Sequence, residues 1–257
     1  MNRITHLFET KKNGILSVYF TAGYPRLEDT RPVLLALQEK GIDMVEIGIP
    51  FSDPMADGPV IQEAATQSLR NGMSLQVLFD QLKDIRKEVR IPIILMGYLN
   101  PILQFGFGNF CSKCAETGVD GMIIPDLPFA DYLADYKETA ARYDLKMIML
   151  ITPETSEERV RLIDEHTEGF IYMVSSAATT GAQQSFDEQK QAYFRRIEKM
   201  GLKNPRLVGF GISNKATFEA AAAHSSGAII GSKFVQLLKS EPSAGEAVDR
   251  LLDALKH

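Results

Sequence analysis

Two carboxylates in the segment VEIGIPFSDPMADGP are the side chains best suited by type and spacing to do chemistry. Glu46 lies inside an apolar run typical of a strand, and Asp57 follows in the adjoining loop. Since side chains alternate along a strand, Met44, Glu46 and Gly48 share one face, and an inward-facing Glu46 has few polar neighbours. Burial of this kind raises a carboxyl pKa towards neutrality, where the group can both give and take a proton. Glu46 is therefore the first candidate for a general acid/base.

The residue types alone leave other roles open for these side chains. Glu46 also fits a structural carboxylate that accepts hydrogen bonds from backbone N–H groups or faces the surface. Asp57 precedes a glycine, and Asp-Gly in a loop is often simple turn chemistry. Tyr98 in GYLNP and Asp126 in IIPDLP also end apolar runs. At such positions pocket lining, core packing and helix capping are equally good interpretations.

Three glycine-containing segments, TTG, GFGIS and IIGSKF, predict a phosphate site. Gly181, Gly211 and Gly231 allow an anion to approach the backbone closely, and Ser232 follows the last of them. Loops after the seventh and eighth strands of a barrel, with a helix N-terminus beside them, commonly bind phosphate. Ser232 is expected to cap that helix and donate its hydroxyl. Tight turns between strands and helices are the alternative interpretation of these glycines.

The remaining reactive residues limit the chemistry. A Schiff-base aldolase needs a lysine at the top of a strand, whereas Lys146 begins its strand and Lys233 falls in the presumed final helix. The four histidines are scattered, which argues against a metal aldolase. Cys111 and Cys114 have the spacing of a redox pair or half a zinc site, but without a second ligand pair they are interpreted as ordinary thiols on a helix.

Eight short apolar runs, most of them closed by Gly, Pro, Ser, Thr or Asp, have the pattern of buried parallel strands. They are ILSVYFT from Ile15, DMVEIGI from Asp43, IPIILMGY from Ile91, DGMIIPD from Asp120, LKMIMLIT from Leu145, GFIYMVS from Gly169, RLVGFGI from Arg206 and GAIIGS from Gly227. Amphipathic segments such as TRPVLLALQEKG, LQVLFDQLKDIRKEV, FADYLADYKETAARY and TSEERVRLIDEHT separate them and predict helices.

Alternating strands and helices place the chain in the α/β class. Eight such units in 257 residues favour a single-domain (β/α)₈ TIM barrel over residues 1–257, with a doubly wound open sheet as the alternative. The segment NRITHLFETKK predicts an additional N-terminal helix that covers the bottom of the barrel. The long loops FSDPMADGPVIQ and SAATTGAQQSFDEQK are expected on the catalytic face.

Composition and charge exclude several kinds of partner. The net charge is -5, with acidic and basic residues interspersed, so we expect no binding to nucleic acid or to anionic membrane surfaces. No run reaches the roughly 18 apolar residues of a membrane span, and the first residues lack a signal-peptide core. A cytoplasmic location is therefore expected.

Taken in order, several of these motifs resemble the alpha subunit family of tryptophan synthase. EIGIPFSDPMADGPVIQ is close to that family's signature, and YFTAGYP, GVDGMIIPDLP, GFIYMVS, VGFGIS and GSKFV match in sequence over essentially the whole chain. The resemblance implies a lyase of tryptophan biosynthesis that cleaves indole-3-glycerol phosphate into indole and glyceraldehyde 3-phosphate. It implies that Glu46 is the principal acid/base group, that Asp57 receives the indole N–H, and that this chain uses no cofactor or metal.

The same matching implies roles for the other site residues. The phosphate would be bound by Gly181, Gly211, Gly231 and Ser232. The substrate pocket would be formed by Tyr19, Ile61, Tyr98, Leu127, Tyr172, Thr180 and Phe210, with Thr180 meeting Asp57 when the sixth loop closes. The sequence departs from the family pattern at AATTG, where Ala178 and Thr179 stand in a run that is usually GVTG-like, and at MGYLNP. These departures put the loop closure in more doubt than the catalytic pair.

A partner also follows from the resemblance. The family works with a pyridoxal-phosphate-dependent beta subunit that receives indole, in an α2β2 tetramer, and the loops PMADGPVIQ and NPILQFGFG are the expected docking surface. Two alternatives remain at this point. One is another phosphate-binding barrel, such as a sugar-phosphate isomerase or epimerase or a prenyl-phosphate transferase, and the other is a non-catalytic allosteric partner of the beta subunit.

Overall fold

Eight parallel strands close into one barrel in a computed structural model that describes residues 1–175 and 185–256. Each strand pairs with its neighbour in the chain, and β1 pairs with β8 to complete the ring. The strands are β1 Ile15–Thr21, β2 Met44–Gly48, β3 Ile93–Met96, β4 Gly121–Ile123, β5 Lys146–Ile151, β6 Ile171–Val174, β7 Arg206–Gly209 and β8 Gly227–Ile230. All eight predicted strands and the predicted (β/α)₈ barrel are confirmed, and the open sheet is excluded.

Helices follow the strands and cover the outside of the barrel. They are α1 Arg3–Thr10, α2 Thr30–Glu39, α3 Pro59–Arg70, α4 Leu75–Leu82, α5 Leu99–Phe105, α6 Phe107–Thr117, α7 Phe129–Asp131, α8 Lys137–Arg142, α9 Glu157–His166, α10 Glu188–Lys199, α11 Lys215–Ala222, α12 Ser232–Ser240 and α13 Ala244–Lys256. Short 3₁₀ turns lie at Leu27–Asp29 and Ile85–Lys87, and the π turn Tyr132–Tyr136 joins α7 to α8. Among the helices so described, none is long and apolar enough to cross a membrane.

The additional N-terminal helix is confirmed, and it closes the bottom of the barrel. Ile4 and Phe8 of α1 are buried in the same apolar cluster as the inward-facing residues of the strands. The ring centroids of Phe8 and Phe170 lie 5.7 Å apart. A Cβ at Gly121 would stand 2.9 Å from the Ile4 side chain, so the absence of a side chain there makes room for α1.

Strand alternation sorts the core into two layers. Residues facing inward, such as Met44 and Ile94, pack with α1 in the barrel interior, whereas Val45 and Leu95, one position on, pack against the outer helices. The interior is therefore filled by side chains up to the level of Glu46. The end of the barrel at the carboxyl ends of the strands opens into a pocket lined by Tyr19, Asp57 and Tyr172.

Two details of the helices differ from the expectations. The segment from Leu75 does not form one long helix, because α4 ends at Leu82 and Asp84 adopts a left-handed φ of 61° before a 3₁₀ turn. The helix that contains Lys233 is not the last one, since α13 follows it. Cys111 and Cys114 lie on α6, as expected of ordinary thiols, and both are buried in the outer core.

Candidate active site

Glu46 lies on the inner face of β2 with no exposed surface. Its Oε1 accepts a 2.9 Å hydrogen bond from the Ser17 hydroxyl on β1. Its Oε2 is also buried and, among the residues described, has no hydrogen-bond partner. Burial raises the pKa of Glu46 from 4.5 to about 8, and the Ser17 hydrogen bond opposes part of that rise. The carboxyl is therefore mostly protonated at neutral pH, as an acid catalyst must be.

Two tyrosines form the walls above Glu46, and each occupies space left by a glycine. A Cβ at Gly48 would lie 2.0 Å from the Tyr19 hydroxyl, and one at Gly209 would lie 2.2 Å from the Tyr172 hydroxyl. Both tyrosines face the pocket. Burial raises the pKa of both phenols, with nearby carboxylates adding to the effect. Both therefore remain neutral and line the pocket with flat aromatic surface.

Asp57 lies on the pocket wall in the loop between β2 and α3. The Tyr98 hydroxyl donates a 2.9 Å hydrogen bond to its Oδ2 and accepts one from the backbone N–H of Ala56 at 3.0 Å. Partial burial raises the pKa of Asp57, and the Tyr98 hydrogen bond lowers it. Tyr98 thus orients Asp57 from behind, whereas Asp126 accepts from the backbone N–H of Leu99 at the start of α5, which is helix capping.

The opposite wall is built from backbone at the ends of β7 and β8. Gly211, Gly231, Ser232 and Lys233 all line the pocket there. The first N–H groups of a helix have no partner within it, so the start of α12 presents free amides at this wall. The expectation that Ser232 caps α12 is wrong: Gly231 occupies the N-cap position, and no side chain caps it. Ser232 is instead the first residue of the helix.

Phe210 shows that this wall is held in a strained conformation. It has a left-handed φ of 70°, which is rare for a non-glycine residue, and Gly211 follows with φ 76°. Such a residue costs about 1–3 kcal/mol and persists only where its surroundings fix it. Ser175 helps to do so, because its hydroxyl donates a 2.7 Å hydrogen bond to the Phe210 carbonyl. Strain at a pocket wall indicates a functional constraint.

About 580 Å³ of space lies between these walls, including the part that is open to solvent. From the predicted set, the pocket is lined by Tyr19, Asp57, Ile61, Tyr172, Phe210, Gly211, Gly231 and Ser232. Leu127 is buried in the core outside the barrel. Gly181 and Thr180, together with Ala178 and Thr179, lie outside the described residues.

Sequence reasoning missed five residues that line the pocket, which are Met96, Ile212, Ser213, Ile229 and Lys233. The apolar ones are signalled only by strand alternation. Lys233 was set aside because it lies in a helix, but it sits in the first turn of α12, where the helix meets the pocket. A lysine directly after a predicted anion-binding Gly-Ser pair is the signal that could have identified it.

The distance across the pocket follows from the register. Strand β1 lies between β2 and β8, so Glu46 and Gly231 are separated by two strand spacings, or roughly 10 Å. Tyr19 lies between them, facing Glu46 in the strand register and within 3.5 Å of the position a Gly231 Cβ would take. One elongated substrate can therefore reach from the carboxyl to the amide wall.

Metal ligands are not clustered in this pocket. Within residues 1–175 and 185–256, no group of three or more His, Cys, Asp or Glu side chains is arranged to hold a metal ion. The Cys111 and Cys114 thiols are buried away from the pocket, and burial raises the pKa of both. They are poor nucleophiles in this state.

Comparison with known proteins gives a consistent result. A family model described as tryptophan synthase alpha chain matches residues 6–256. A tryptophan synthase alpha chain from Parabacteroides distasonis is 80% identical over 256 residues, covering 100% of both chains. The crystal structure of tryptophan synthase subunit alpha from Legionella pneumophila has a TM-score of 0.87 at 33% identity, with 99% of this chain and 97% of that chain covered. The tryptophan synthase complex from Pyrococcus furiosus gives 0.83 at 34% identity, with 95% and 98% covered.

Proposed function

Because this chain belongs to the tryptophan synthase alpha chain family and is a lyase of tryptophan biosynthesis, we propose that its pocket cleaves indole-3-glycerol phosphate into indole and glyceraldehyde 3-phosphate. The observation that supports this most directly is Glu46, a fully buried carboxyl with a pKa of about 8 beneath an aromatic-walled pocket. Asp57 lies on one wall of that pocket and a glycine-rich amide wall on another. These are the groups that the proposed reaction needs.

The reaction is a retro-aldol cleavage. Glu46 donates its proton to C3 of the indole ring, and the positive charge that develops on the ring nitrogen is stabilised by Asp57, which accepts the N–H. The resulting carboxylate of Glu46 takes the proton from the adjacent glycerol hydroxyl. The bond between indole C3 and the glycerol carbon that bears this hydroxyl then breaks. Its electrons return to the ring, and the glycerol carbon becomes the aldehyde carbon. Glu46 ends protonated, so the substrate itself supplies the electron sink.

The phosphate end of the substrate would bind at the start of α12 and beside Gly211. Lys233 adds a positive charge at this wall, and no described carboxylate pairs with it. The segment 176–184, outside the described residues, contains no Asp or Glu. A lysine in the first turn of a helix opposes the helix dipole. The negative charge of a bound phosphate dianion would offset this unfavourable interaction between Lys233 and the helix dipole.

We further propose the expected beta subunit as a partner, in an α2β2 tetramer in the cytoplasm, with the chain acting as one domain over 1–257 and pyridoxal phosphate held only by the partner. Large apolar side chains on the predicted docking loops support this. Met55 is 90% exposed and Leu103 is 45% exposed, one on each of the two predicted docking loops. Exposed apolar side chains on both of the loops expected to meet the partner favour a binding surface there.

Spectroscopic assay of indole release tests the proposed function. The purified chain is offered indole-3-glycerol phosphate and, separately, ribulose phosphate, each with and without a beta subunit. Turnover of the first substrate alone, accelerated by the beta subunit, is the expected result. Turnover of the sugar phosphate would favour another phosphate-binding barrel, and binding of the beta subunit without any lyase activity would favour a purely allosteric role.

A further inference from the structure

Ser17 lies at the centre of the barrel interior, beneath the pocket. Its side chain is fully buried, and its hydroxyl donates the 2.9 Å hydrogen bond to Oε1 of Glu46. The neighbouring inward-facing residues at this depth, such as Met44, Ile94 and Ile229, are apolar. A buried hydroxyl without a partner is costly, so a serine among aliphatic side chains is best explained by the hydrogen bond it makes.

This contact makes the two oxygens of Glu46 different. Oε1 is engaged by Ser17, whereas Oε2 has no hydrogen-bond partner among the described residues. An oxygen that accepts a hydrogen bond is favoured as the carbonyl oxygen of a protonated carboxyl. The acidic proton is therefore favoured on Oε2, which has no hydrogen-bond partner among the described residues.

We propose that Ser17 is a positioning residue that fixes the Glu46 carboxyl through Oε1, so that Oε2 is the oxygen that exchanges a proton with the substrate. The inference rests on the proposed function, in which Glu46 gives a proton to the indole ring and takes one from the glycerol hydroxyl. Ser17 does not itself touch the reacting atoms. It sets the orientation of the carboxyl and limits how far burial can raise its pKa.

The direction of the pKa effect provides a test. A hydrogen bond to the ionised form favours ionisation, so Ser17 lowers the pKa of Glu46 against the larger effect of burial. Ser17→Ala should therefore raise the pKa above its present value of about 8. From the usual strength of one hydrogen bond, the expected rise is about 0.5 to 1 pH unit.

The first measurement is the pH profile of kcat/KM for indole release, in the presence of the beta subunit, for the parent protein, Ser17→Ala and Ser17→Cys. Cysteine is larger than serine and is a much weaker donor, so a shift shared by both variants cannot come from the cavity left by alanine. The high-pH limb should move upward in both variants, with Ser17→Cys between the parent and Ser17→Ala. At pH 7, kcat should fall roughly threefold to tenfold while KM changes less than about twofold.

A second measurement is independent of catalysis. The carbonyl stretch of protonated Glu46 is observed by infrared difference spectroscopy and assigned by its loss in Glu46→Gln. Removing the donor to Oε1 should shift this band to higher frequency and raise the pH at which it disappears. Ser225→Ala is the matched control, because Ser225 is a buried serine whose hydroxyl bonds the backbone of Ala221 and Gly227, at the other end of the strands.

The outcomes distinguish the positioning role of Ser17 from the proposed lyase function. An unchanged infrared band and an unchanged pH limb in both Ser17 variants would overturn the positioning role, as would an equal shift in Ser225→Ala. Full lyase activity in Glu46→Gln would overturn the proposed function, and with it the catalytic meaning of the contact, even if the band shift were observed. A shifted band together with an inactive Glu46→Gln supports both.

Discussion

The buried carboxyl groups at the two ends of the barrel have very different hydrogen-bond and ion-pair partners. At the bottom, Asp120 is 3% exposed and accepts hydrogen bonds from Arg86 at 2.6 Å, from Arg3 at 3.0 Å and from the backbone N–H of Ile93 at 2.9 Å. Near the top, Glu46 is fully buried with a single neutral donor. Asp120 thus pairs with cations of the same chain, whereas Glu46 has no cationic partner among the described residues.

The difference separates a structural role from a chemical one. The guanidinium groups of Arg86 and Arg3 pair with Asp120, and these pairs hold α1, β4 and the segment before β3 together. A carboxyl without a cation keeps its proton at neutral pH and retains an unused oxygen. The same contrast applies to cations, since Arg86 is paired at the bottom while Lys233 at the pocket has no described carboxylate partner.

Glu46→Gln is the strongest test of this contrast. The amide keeps the shape of the side chain and cannot transfer the proton, so indole release with the beta subunit should fall by at least about a hundredfold. Binding of the beta subunit, measured by calorimetry, should be retained. The effect is measured under single-turnover conditions, so that product release does not mask it.

Asp126→Asn is the matched control for that variant. Asp126 lies near the pocket, but its carboxylate accepts from the Leu99 backbone, and asparagine retains a capping oxygen. Its rate should stay within about threefold of the parent. If Glu46→Gln were as active as Asp126→Asn, the proton-transfer role would belong to another residue.

Much of this arrangement is predictable from sequence, because it depends on local patterns. Strand alternation placed Glu46 inside the barrel, and apolar runs separated by amphipathic segments specified the eight units. The glycines after β7 and β8 indicated a pocket wall built from backbone. These signals are short-range, since each depends on residues that are adjacent in the chain.

The contacts that were missed depend on distant parts of the chain. Nothing in ILSVYFT indicates that Ser17 meets Glu46, because that requires the pairing of β1 with β2 and the register between them. The left-handed Phe210 and the N-cap at Gly231 also follow from tertiary packing. The Arg86–Asp120 pair joins residues 34 positions apart, and no periodic pattern specifies it.

Asp120→Ala tests the other side of the contrast. Removing this carboxylate leaves Arg86 buried without its partner, and breaking a buried pair typically costs about 3–5 kcal/mol. Urea denaturation should show a loss of this order in the free energy of unfolding, while the rate of indole release per folded molecule changes less than about threefold. Asp249→Ala removes an exposed pair with Lys40 and should cost less than about 1 kcal/mol. Equal losses in the two variants would show that the bottom of the barrel does not depend on Asp120.

The pH dependence of the free energy of unfolding is a further test of the difference between the two ends of the barrel. The folded pKa of Glu46 is raised from 4.5 to about 8, so the folded state holds a proton that the unfolded state loses above pH 4.5. The stability contributed by protonated Glu46 is therefore full below pH 4.5, and it is lost as the pH rises through about 8. At about 1.4 kcal/mol per pKa unit, the loss is on the order of 3–5 kcal/mol.

Glu46→Gln removes this titration, so its free energy of unfolding should exceed that of the parent more at pH 9 than at pH 5. Urea denaturation of both proteins across this range measures the difference. An identical pH dependence in the two proteins would mean that Glu46 is already ionised in the folded state. The contrast with Asp120 would then rest on the hydrogen-bond partners of the two carboxyl groups alone.

Lys233→Met is the smallest expected effect and extends the contrast to the cation at the pocket. Methionine keeps much of the apolar stem and removes the charge, so the phosphate of the substrate loses one partly solvated attraction. We expect KM for indole-3-glycerol phosphate to rise about fivefold to tenfold, with kcat changed less than about twofold. The KM of the parent, but not of the variant, should also rise with salt.

Lys239→Met is the control on the same helix, since Lys239 pairs with Glu63 on the outer surface and should leave KM unaltered. The opposite pattern is equally informative. If Lys233→Met lost kcat at constant KM, the Lys233 ammonium group would act in the chemical step rather than in binding the phosphate. A KM that is higher in Lys233→Met than in the parent, at nearly constant kcat, would identify Lys233 as a counter-charge for the substrate phosphate.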